Sequence, residues 1–401
     1  MRKLLFGTTA LVGASMLAAG AAQAAEPIKI VTFGWVNEYM GIAETDEAGG
    51  EDFNAGAAHL DGQVNFKGSV DLDNGLNVGV RLEIEMPDPG SLDETFVWVK
   101  GDFGELRAGN HNSAGYSMIS GVPGVGMPIN SGWISDFIPQ PKAFLNDFRS
   151  VGVSSKIDFA NDDNGIIYYT PRFSGFQFGV SYHPNANRAN QKAGVTDTTE
   201  DVYHNGVGVG LTFVESFNGF NINFGASYAR AEAGDETTAA GGDDQEQVNV
   251  SLNLGTGGFT IGAAYANQME GRLTLTDSLD AVGFANDLFD LANNVTKANL
   301  KTITTANTTT KVVSNEGENW SVGAGYSTGP WTATVSYMHG ETEGDVSNAN
   351  EDELDAVSGA ISYALGPGIT TDFTVLWAET QDEAGASQDG VAGVIGFTVS
   401  F

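Results

Sequence analysis

The stretch Gly390-Val-Ala-Gly-Val-Ile-Gly-Phe-Thr-Val-Ser-Phe401 closes the chain with a two-residue alternation. Alternate residues from Val391 to Phe401 are apolar apart from one glycine, and the intervening residues are small or weakly polar. Because successive side chains of a β-strand point to opposite faces, this stretch predicts a strand with one apolar face. A soluble protein would have to cover that face, whereas a strand that contacts lipid would not.

The composition is acidic, rich in glycine and free of cysteine. The 401 residues include 53 Gly, 51 Asp and Glu, and 18 Lys and Arg, which gives a net charge of −33. Without cysteine the chain forms no disulfide and no thiolate metal site. The negative charge argues against nucleic-acid partners, because their phosphates would be repelled. The length accommodates either two or three soluble domains or one large barrel.

Residues 1–24 have the pattern of a secretory signal peptide. A basic start, Arg2-Lys3, precedes an apolar segment from Leu4 to Ala19, and Ala22-Gln23-Ala24 matches a small-x-small cleavage site. We expect cleavage at its end, export of the chain and a single domain over 25–401. No later segment reaches the ~18 apolar residues of a spanning helix. A chain that spans a membrane without such a helix must do so as a β-barrel.

The alternation of the last strand recurs along the chain, in Leu76–Met86, Phe176–His183, Phe220–Tyr228 and Val248–Leu254 among others. Aromatic residues also recur six positions apart, on the apolar face: Phe176 and Tyr182, Phe259 and Tyr265, Trp320 and Tyr326, Trp331 and Tyr337. Aromatic rings at both edges of an apolar band are typical of membrane interfaces. A soluble sandwich is the alternative, but it would have to bury one face of many strands with few Leu or Ile.

Short connections rich in Gly, Asn and Asp alternate with long acidic or irregular ones, as they do in bacterial outer-membrane barrels. The segment Ser154–Phe159 also alternates, but a seventeenth strand would leave the termini on opposite sides, so we assign it to the third loop. The sequence therefore predicts an all-β fold, a 16-stranded antiparallel transmembrane β-barrel. Its strands are expected at 28–41, 57–71, 76–86, 93–100, 105–111, 164–172, 176–183, 205–214, 219–232, 246–254, 258–270, 318–327, 331–342, 353–365, 369–381 and 390–401. The last strand should close against the first near Ile28 to Val36.

The third loop, about 112–163, is the most informative connection. It contains many apolar and aromatic residues, among them Trp133 and Phe137, which are unlike a loop that extends into water. Sixteen strands leave a wide lumen, so we expect this loop to fold inward and form a constriction. Its acidic residues before position 150 are Asp136 and Asp147.

Basic residues are concentrated in the first five predicted strands. The strand alternation directs five of them into the lumen: Lys29, Lys67, Arg81, Lys100 and Arg107. Three lie near mid-strand and are the better constriction candidates: Lys67, Arg81 and Arg107. Facing Asp136 and Asp147, they would create a field across the pore, although Glu83, Glu85 and Glu105 on the same face would neutralise part of it. The alternative is that these are scattered, solvated lumen residues.

Acidic residues cluster in three external loops, which hold Glu44, Asp46, Glu47, Glu51 and Asp52; Asp235, Glu236, Asp243 and Asp244; and Glu341, Glu343, Asp345, Glu351, Asp352 and Glu353. Such clusters can bind Ca²⁺, but without a fixed-spacing calcium loop a solvated acidic surface is the favoured interpretation.

The long connection 271–316 is expected to be an external flap, with a short helix over Asp277–Asn293 as the alternative. No serine elbow or zinc spacing is present, so we expect no enzyme activity and no cofactor.

The chain resembles the general porins of Gram-negative bacteria, particularly the 16-stranded alphaproteobacterial type. The likeness is carried by the segment Phe96-Val-Trp-Val-Lys-Gly-Asp-Phe-Gly-Glu-Leu-Arg-Ala-Gly109, by Asn164–Phe176 and by the terminal strand that ends in Phe401. It implies a homotrimer in the cell outer membrane, in contact with lipid and lipopolysaccharide. It also implies passive diffusion of small hydrophilic solutes, and Phe401 as a signal for the barrel assembly machinery.

Two positions depart from the resemblance. Many relatives have an arginine just after the fifth strand and another in the sixth, where this chain has Asn110 and Ile167. The basic wall is therefore weaker, and we predict modest cation selectivity. The other hypotheses are a substrate-specific channel with a solute-binding track, an outer-membrane barrel enzyme and a soluble secreted β protein.

Overall fold

The computed structural model describes residues 28–45, 55–86, 92–130, 133–138, 151–160, 162–186, 203–235, 238, 242–278, 308–345, 350–383 and 385–401. Its strands are β1 (Lys29–Thr45), β2 (Gly56–Asp71), β3 (Asn77–Met86), β4 (Leu92–Gly101), β5 (Gly104–Asn110), β6 (Asn164–Tyr169), β7 (Phe176–Ala186), β8 (Tyr203–Phe217), β9 (Phe220–Ala233), β10 (Gln245–Thr256), β11 (Phe259–Glu270), β12 (Arg272–Ser278), β13 (Thr308–Thr328), β14 (Trp331–Asp345), β15 (Asp352–Gly366), β16 (Ile369–Gln381) and β17 (Ser387–Ser400). A short helix α1 spans Ala114–Ser117, and a 3-10 helix spans Trp133–Asp136. Within the described residues, no helix combines the length and apolar composition needed to cross a membrane.

The strands form one closed antiparallel barrel. Successive strands pair with each other, and β1 pairs with both β2 and β17, so the sheet has no free edge at the seam. Strand β12 lies outside this ring, because it pairs only with Thr308–Ser314, the part of β13 that extends past β11. Sixteen strands therefore make up the barrel, which confirms the predicted fold class. Closure satisfies the backbone hydrogen bonds that lipid cannot satisfy.

Tight turns join the hairpins at one end of the barrel. At Ser174-Gly175 and Asn218-Gly219 both turn residues have positive φ, between 45° and 82°. Such two-residue turns match the right-handed twist of the flanking strands, and glycine adopts positive φ without a steric penalty. The sequence places Gly, Asn or Asp at most of these turns, which explains why the hairpin positions were predictable.

The alternation of the last strand separates two environments. Val391, Ile395 and Phe397 are between 45% and 59% exposed on the outer face, whereas Ala392 and Val394 on the inner face are fully buried. The same exposed apolar pattern continues around the barrel, for example at Val207 and Val209 of β8. The outer face therefore meets lipid, and the buried inner residues are covered from inside the barrel.

Several strand boundaries differ from the sequence prediction. The seam pairs residues 34–45 of the first strand with the last strand, so only the end of the predicted range 28–36 takes part, because tilted barrel strands are staggered in register. Strand β13 begins at Thr308, ten residues before the predicted start, and thereby includes Lys311. The proposed helix over 277–293 falls almost entirely outside the described residues, and its first two residues end β12. The signal-peptide prediction for residues 1–24 also lies outside them.

Candidate functional site

The third loop begins with α1, which lies against the inner faces of β7, β8 and β9. The side chain of Ser113 accepts a hydrogen bond from the backbone N–H of Tyr116 and so caps the helix. The N–H of Ala114 donates to Ser181 Oγ of β7 at 3.1 Å. A Cβ on Gly225 of β9 would lie within 2.5 Å of the carbonyl oxygen of Met118, so glycine is required for this approach. The first turn of the loop is thereby fixed to the inside of the barrel.

The next segment, 120–127, crosses the barrel interior over hydroxyl groups. The backbone N–H groups of Ser120, Val125 and Met127 donate to Ser251 Oγ of β10, Thr334 Oγ1 of β14 and Thr374 Oγ1 of β16, at 3.1, 3.2 and 3.1 Å. Pro123 between them packs over Gly262 and Gly323, which leave room for its ring. Inward-facing serine and threonine side chains thus replace water as partners of the loop backbone.

The returning segment, 151–160, is held by a second set of contacts. Asn249 of β10 accepts from the N–H of Ile157 at 2.8 Å and donates to the carbonyl oxygen of the same residue at 3.1 Å. Ser155 Oγ lies 2.6 Å from Ser321 Oγ of β13, and Asn130 donates to Ser155 Oγ at 2.9 Å. Because Ser155, Ile157 and Asn249 are buried, their hydrogen bonds also avoid the cost of unsatisfied polar atoms.

The far end of the loop reaches the first two strands. Asp136 Oδ2 lies 2.6 Å from His59 Nδ1 of β2. The ring of Trp133 lies against His59 with centroids 4.4 Å apart and the planes tilted by 36°, and Tyr39 of β1 donates to the carbonyl oxygen of Gly126. The described parts of the loop therefore contact the inner face of the barrel from β7 around to β1, and they also contact His59 of β2. We call the inner faces of β7–β11 and β13–β16 the covered wall.

Two buried histidines mark the root of the loop, where it leaves and rejoins the barrel. His111 follows β5, and its ring packs edge-on against His183 of β7, which in turn packs against Phe159. The N–H of His111 donates to the carbonyl oxygen of Asp163 at 3.2 Å, which ties the two ends of the loop together. Burial lowers the pKa of His111 to about 4, and the charge of Arg107 acts in the same direction. His111 is therefore neutral at physiological pH.

The inner faces of β2–β5 form the bare wall, which Asp136 and Asn112 of the third loop reach through hydrogen bonds to His59 and Glu94. Arg81 of β3 pairs with Glu83 and, at 3.3 Å, with Glu94, and its Nε donates to Asn65 at 2.8 Å. Glu83 is only 3% exposed, so Arg81 supplies the positive charge that this buried carboxylate requires.

Arg107 of β5 is likewise paired. Its Nε lies 2.6 Å from Glu105 Oε1, and its guanidinium lies 5.0 Å from the ring centroids of both Phe96 and Tyr169. Lys100 lies 3.9 Å from the other oxygen of Glu105. Lys67 differs from these residues, because its ammonium lies over the ring of Trp98 at 5.4 Å.

The structure brings together most of the site residues predicted from sequence. Five of them lie on the bare wall: Lys67, Arg81, Glu83, Glu105 and Arg107. The strand register places Lys67 of β2 opposite Arg81 of β3, and it places Glu105 and Arg107 of β5 opposite Lys100 and Trp98 of β4. Lys100 lies at the short-turn end of β4 on the same face, and Lys29 opens β1 opposite Ser69. The predicted loop carboxylates do not meet these bases among the described residues: Asp136 pairs with His59, and Asp147 lies outside them.

Sequence reasoning missed Glu94, His59 and Lys156. Glu94 and His59 occupy alternate positions that point into the barrel on their strands, so the two-residue alternation could have identified them. Lys156 carries no sequence signal, because its position depends on the path of the third loop.

Among the described residues, no group of three or more His, Asp or Glu is arranged to hold a metal ion. Calcium binding by the acidic external loops, several of whose residues lie outside the described part, stays a prediction.

Comparison with known proteins identifies the family. The family model for Gram-negative porins matches residues 7–383. The chain is 27% identical over 220 residues to the major outer membrane protein P.IB of Neisseria lactamica, an alignment that covers 52% of this chain and 54% of that protein. The chain spans about half the length of the curated relatives it matches.

Solved porin structures share the fold over nearly the full length. The anion-selective porin from Comamonas acidovorans matches with a TM-score of 0.55 at 16% identity, covering 94% of this chain and 100% of that one. The trimer form of the outer membrane protein OmpT of Vibrio cholerae matches with a TM-score of 0.56 at 11% identity, with coverage of 94% and 100%. With the closed barrel and the family match over most of its length, the chain belongs to the Gram-negative porin family and is a protein of the outer membrane.

Proposed function

We propose that this protein is a channel for passive diffusion of small hydrophilic solutes and ions across the outer membrane. The pore runs between the third loop and the bare wall, and the loop sets its narrowest section. One observation carries this proposal: loop backbone groups bond to inward hydroxyls and amides of β7, β10, β14 and β16. A loop held against the wall of a wide lumen, with one part of that wall left bare, narrows the lumen without filling it.

We infer a modest preference for cations. On the bare wall, the charges of Arg81 and Arg107 are matched by Glu83, Glu94 and Glu105 at ion-pair distance. A paired cation presents a dipole to a passing ion, and the field of a dipole falls off faster than that of a single charge. The whole chain carries a net charge of −33, so cations are also concentrated at the mouth of the pore.

The partners follow from the family and the outer-membrane location. We propose a homotrimer surrounded by lipid and lipopolysaccharide, and recognition of the chain end by the barrel assembly machinery. Phe401 supports the last point, because its side chain is 59% exposed while its backbone bonds to Gly34 at the seam. Its ring is thus accessible on a fixed backbone.

Deletion of Phe401 should therefore lower the amount of protein in the outer membrane far more than it lowers the conductance of the molecules that do insert. The measurement is outer-membrane abundance together with single-channel recording. Phe217→Ala is the control, because it removes an even more exposed aromatic residue away from the chain end. Normal abundance after deletion of Phe401 would refute the assembly role.

Purified protein in planar bilayers and in liposomes tests the channel function. We expect stepwise ohmic conductance, a reversal potential in a KCl gradient that indicates a moderate preference for K⁺, and sugar flux that falls smoothly with sugar size. A lack of conductance would overturn the proposal. Flux that saturates and is competed by one solute would instead favour a substrate-specific channel with a solute-binding track.

A further inference from the structure

Two lysines inside the barrel differ from the other bases of the lumen. Lys67 and Lys156 each place the ammonium over an aromatic ring, and neither forms an ion pair with a carboxylate among the described residues. Arg81, Lys100 and Arg107, by contrast, all lie within ion-pair distance of glutamates. A lysine that faces only a ring keeps its net charge and its N–H donors for another partner.

Lys67 lies on the bare wall in β2. Its side chain is exposed, and its Nζ is 5.4 Å from the centroid of the Trp98 ring. The indole is held in turn, because its Nε1 donates to Asn77 Oδ1 at 2.8 Å and the residue is largely buried. The ring therefore limits the positions of a flexible ammonium while leaving its outer side open to the lumen.

Lys156 lies on the third loop, between Ser155 and Ile157, which are both fixed to the covered wall. Its Nζ is 3.8 Å from the centroid of the Tyr116 ring of α1. Lys156 and Tyr116 are each partly exposed, and Ser155 and Ile157 on either side of Lys156 are buried. Burial lowers the pKa of Lys156, and the nearby Asp158 opposes that effect.

The two lysines lie on opposite sides of the pore. Ile157, next to Lys156, is held by Asn249 of β10. In a ring of sixteen strands, β10 is eight strands from β2 in either direction. Lys67 lies on β2, and Lys156 comes directly before the residue that is bonded to β10. A solute that passes between the loop and the bare wall would therefore meet one lysine on each side.

We propose that Lys67 and Lys156 are anion-binding positions of the lumen, and that each binds small carboxylates or phosphates in transit. This inference rests on the proposed channel function. The ammonium is a compact charge with three N–H donors, which suits a phosphate or carboxylate oxygen that is replacing water. These two charges limit the cation preference, whereas Arg81 and Arg107 hold the wall together.

Reversal potentials in a KCl gradient, and current block by inorganic phosphate, test the proposal on the full-length protein. Lys67→Gln should raise the K⁺/Cl⁻ permeability ratio about twofold, and Lys156→Gln should shift it in the same direction. Phosphate should reduce the wild-type current, and each variant should need a higher phosphate concentration for the same block. Arg107→Gln should shift the ratio less than half as much, because Lys100 remains beside Glu105.

Lys311→Gln is the charge-matched control, because Lys311 lies on the part of β13 that pairs with β12 outside the barrel ring. Heat-modifiable migration on gels verifies that each variant is folded. Lys156→Arg, which keeps the charge, provides a second variant if Lys156→Gln disturbs the loop, and it should keep the wild-type ratio. Equal shifts for Arg107→Gln and Lys67→Gln, or phosphate block unchanged in both Gln variants, would overturn the inference. Wild-type protein without conductance would instead overturn the proposed function.

Discussion

The bare wall and the covered wall have the same strand geometry but opposite chemistry. The bare wall directs Lys, Arg and Glu into the lumen, whereas the covered wall directs Ser, Thr, Asn and Gly inward, and most of these are buried. The difference follows from what each wall contacts. Water solvates long charged side chains, while a loop backbone needs short hydroxyls and amides at hydrogen-bonding distance.

This difference also explains the basic residues of the sequence. The strands predicted from residue 246 onward contain no Lys or Arg, because their inner faces support the third loop and their outer faces meet lipid. These strands do carry acidic residues, among them Asp372, which is 6% exposed on the inner face of β16. The uneven distribution therefore concerns the bases, whose long side chains would be desolvated against the loop or in lipid.

The largest effect is expected from the bare wall. Arg81→Gln would leave Glu83 buried without its cation and Glu94 without its closest base, so we expect a loss of about 4 kcal/mol in unfolding free energy. Urea unfolding of the purified protein followed by tryptophan fluorescence measures it. Lys67→Gln is the matched control and should cost less than about 1 kcal/mol, because Lys67 forms no ion pair among the described residues. Equal losses of unfolding free energy in the two variants would show that the ion pairs of Arg81 do not stabilise the fold.

The root of the third loop, where His111 lies, should be sensitive to pH. The folded protein keeps His111 neutral down to its pKa of about 4, whereas the unfolded chain takes up the proton near 6.5. Stability should therefore be constant above about pH 6.5 and fall as the pH is lowered toward 4, by about 3 kcal/mol in total.

His111→Gln should flatten this part of the stability curve, which denaturant titrations between pH 7 and pH 4 would reveal. His111→Asn is a second variant with the same expectation and a smaller side chain. An unchanged slope in both variants would exclude His111 as the source of the pH dependence.

A smaller effect is expected at the clamp that holds the returning loop. Asn249→Ala removes both of its hydrogen bonds to Ile157 and leaves the buried N–H of that residue unpaired, while the carbonyl oxygen keeps Gln247 Nε2 at 3.4 Å, so we expect a cost of about 2 kcal/mol. The freed segment should also increase open-channel current noise in single-channel recordings. Asn267→Ala on the outer face of β11 is the control and should affect neither quantity. Quiet, wild-type currents in Asn249→Ala would mean that the clamp does not hold the loop.

The fold could be predicted because membrane barrels repeat one simple pattern. Alternation, aromatic spacing and turn residues each constrain the same sixteen strands, so errors in single strands did not change the count. The site was only partly predictable. Parity placed Lys67, Arg81 and Arg107 on one face, but the partners of the arginines depend on cross-strand register, and a strand pattern does not fix that register.

The contacts of the third loop were least accessible to sequence reasoning. Asp136 was expected to face the basic residues of the wall, and it does reach the inner face of β2, but its partner there is His59, against which Trp133 also lies. The aromatic content of the loop indicated that it packs against something, but not which strands it would choose. Such long-range contacts depend on the whole loop path.

The most direct test of the account uses the absence of cysteine from the chain. Single substitutions Lys67→Cys on the bare wall and Ser251→Cys beneath the loop would be exposed, in bilayers, to a membrane-impermeant methanethiosulfonate reagent. Lys67→Cys should react rapidly and lose conductance, because it lines the open pore. Ser251→Cys should remain unreactive, because the wild-type serine is buried and bonded to the loop backbone. Rapid reaction and block at both positions, or at Ser251→Cys alone, would contradict a pore that runs between the third loop and the bare wall.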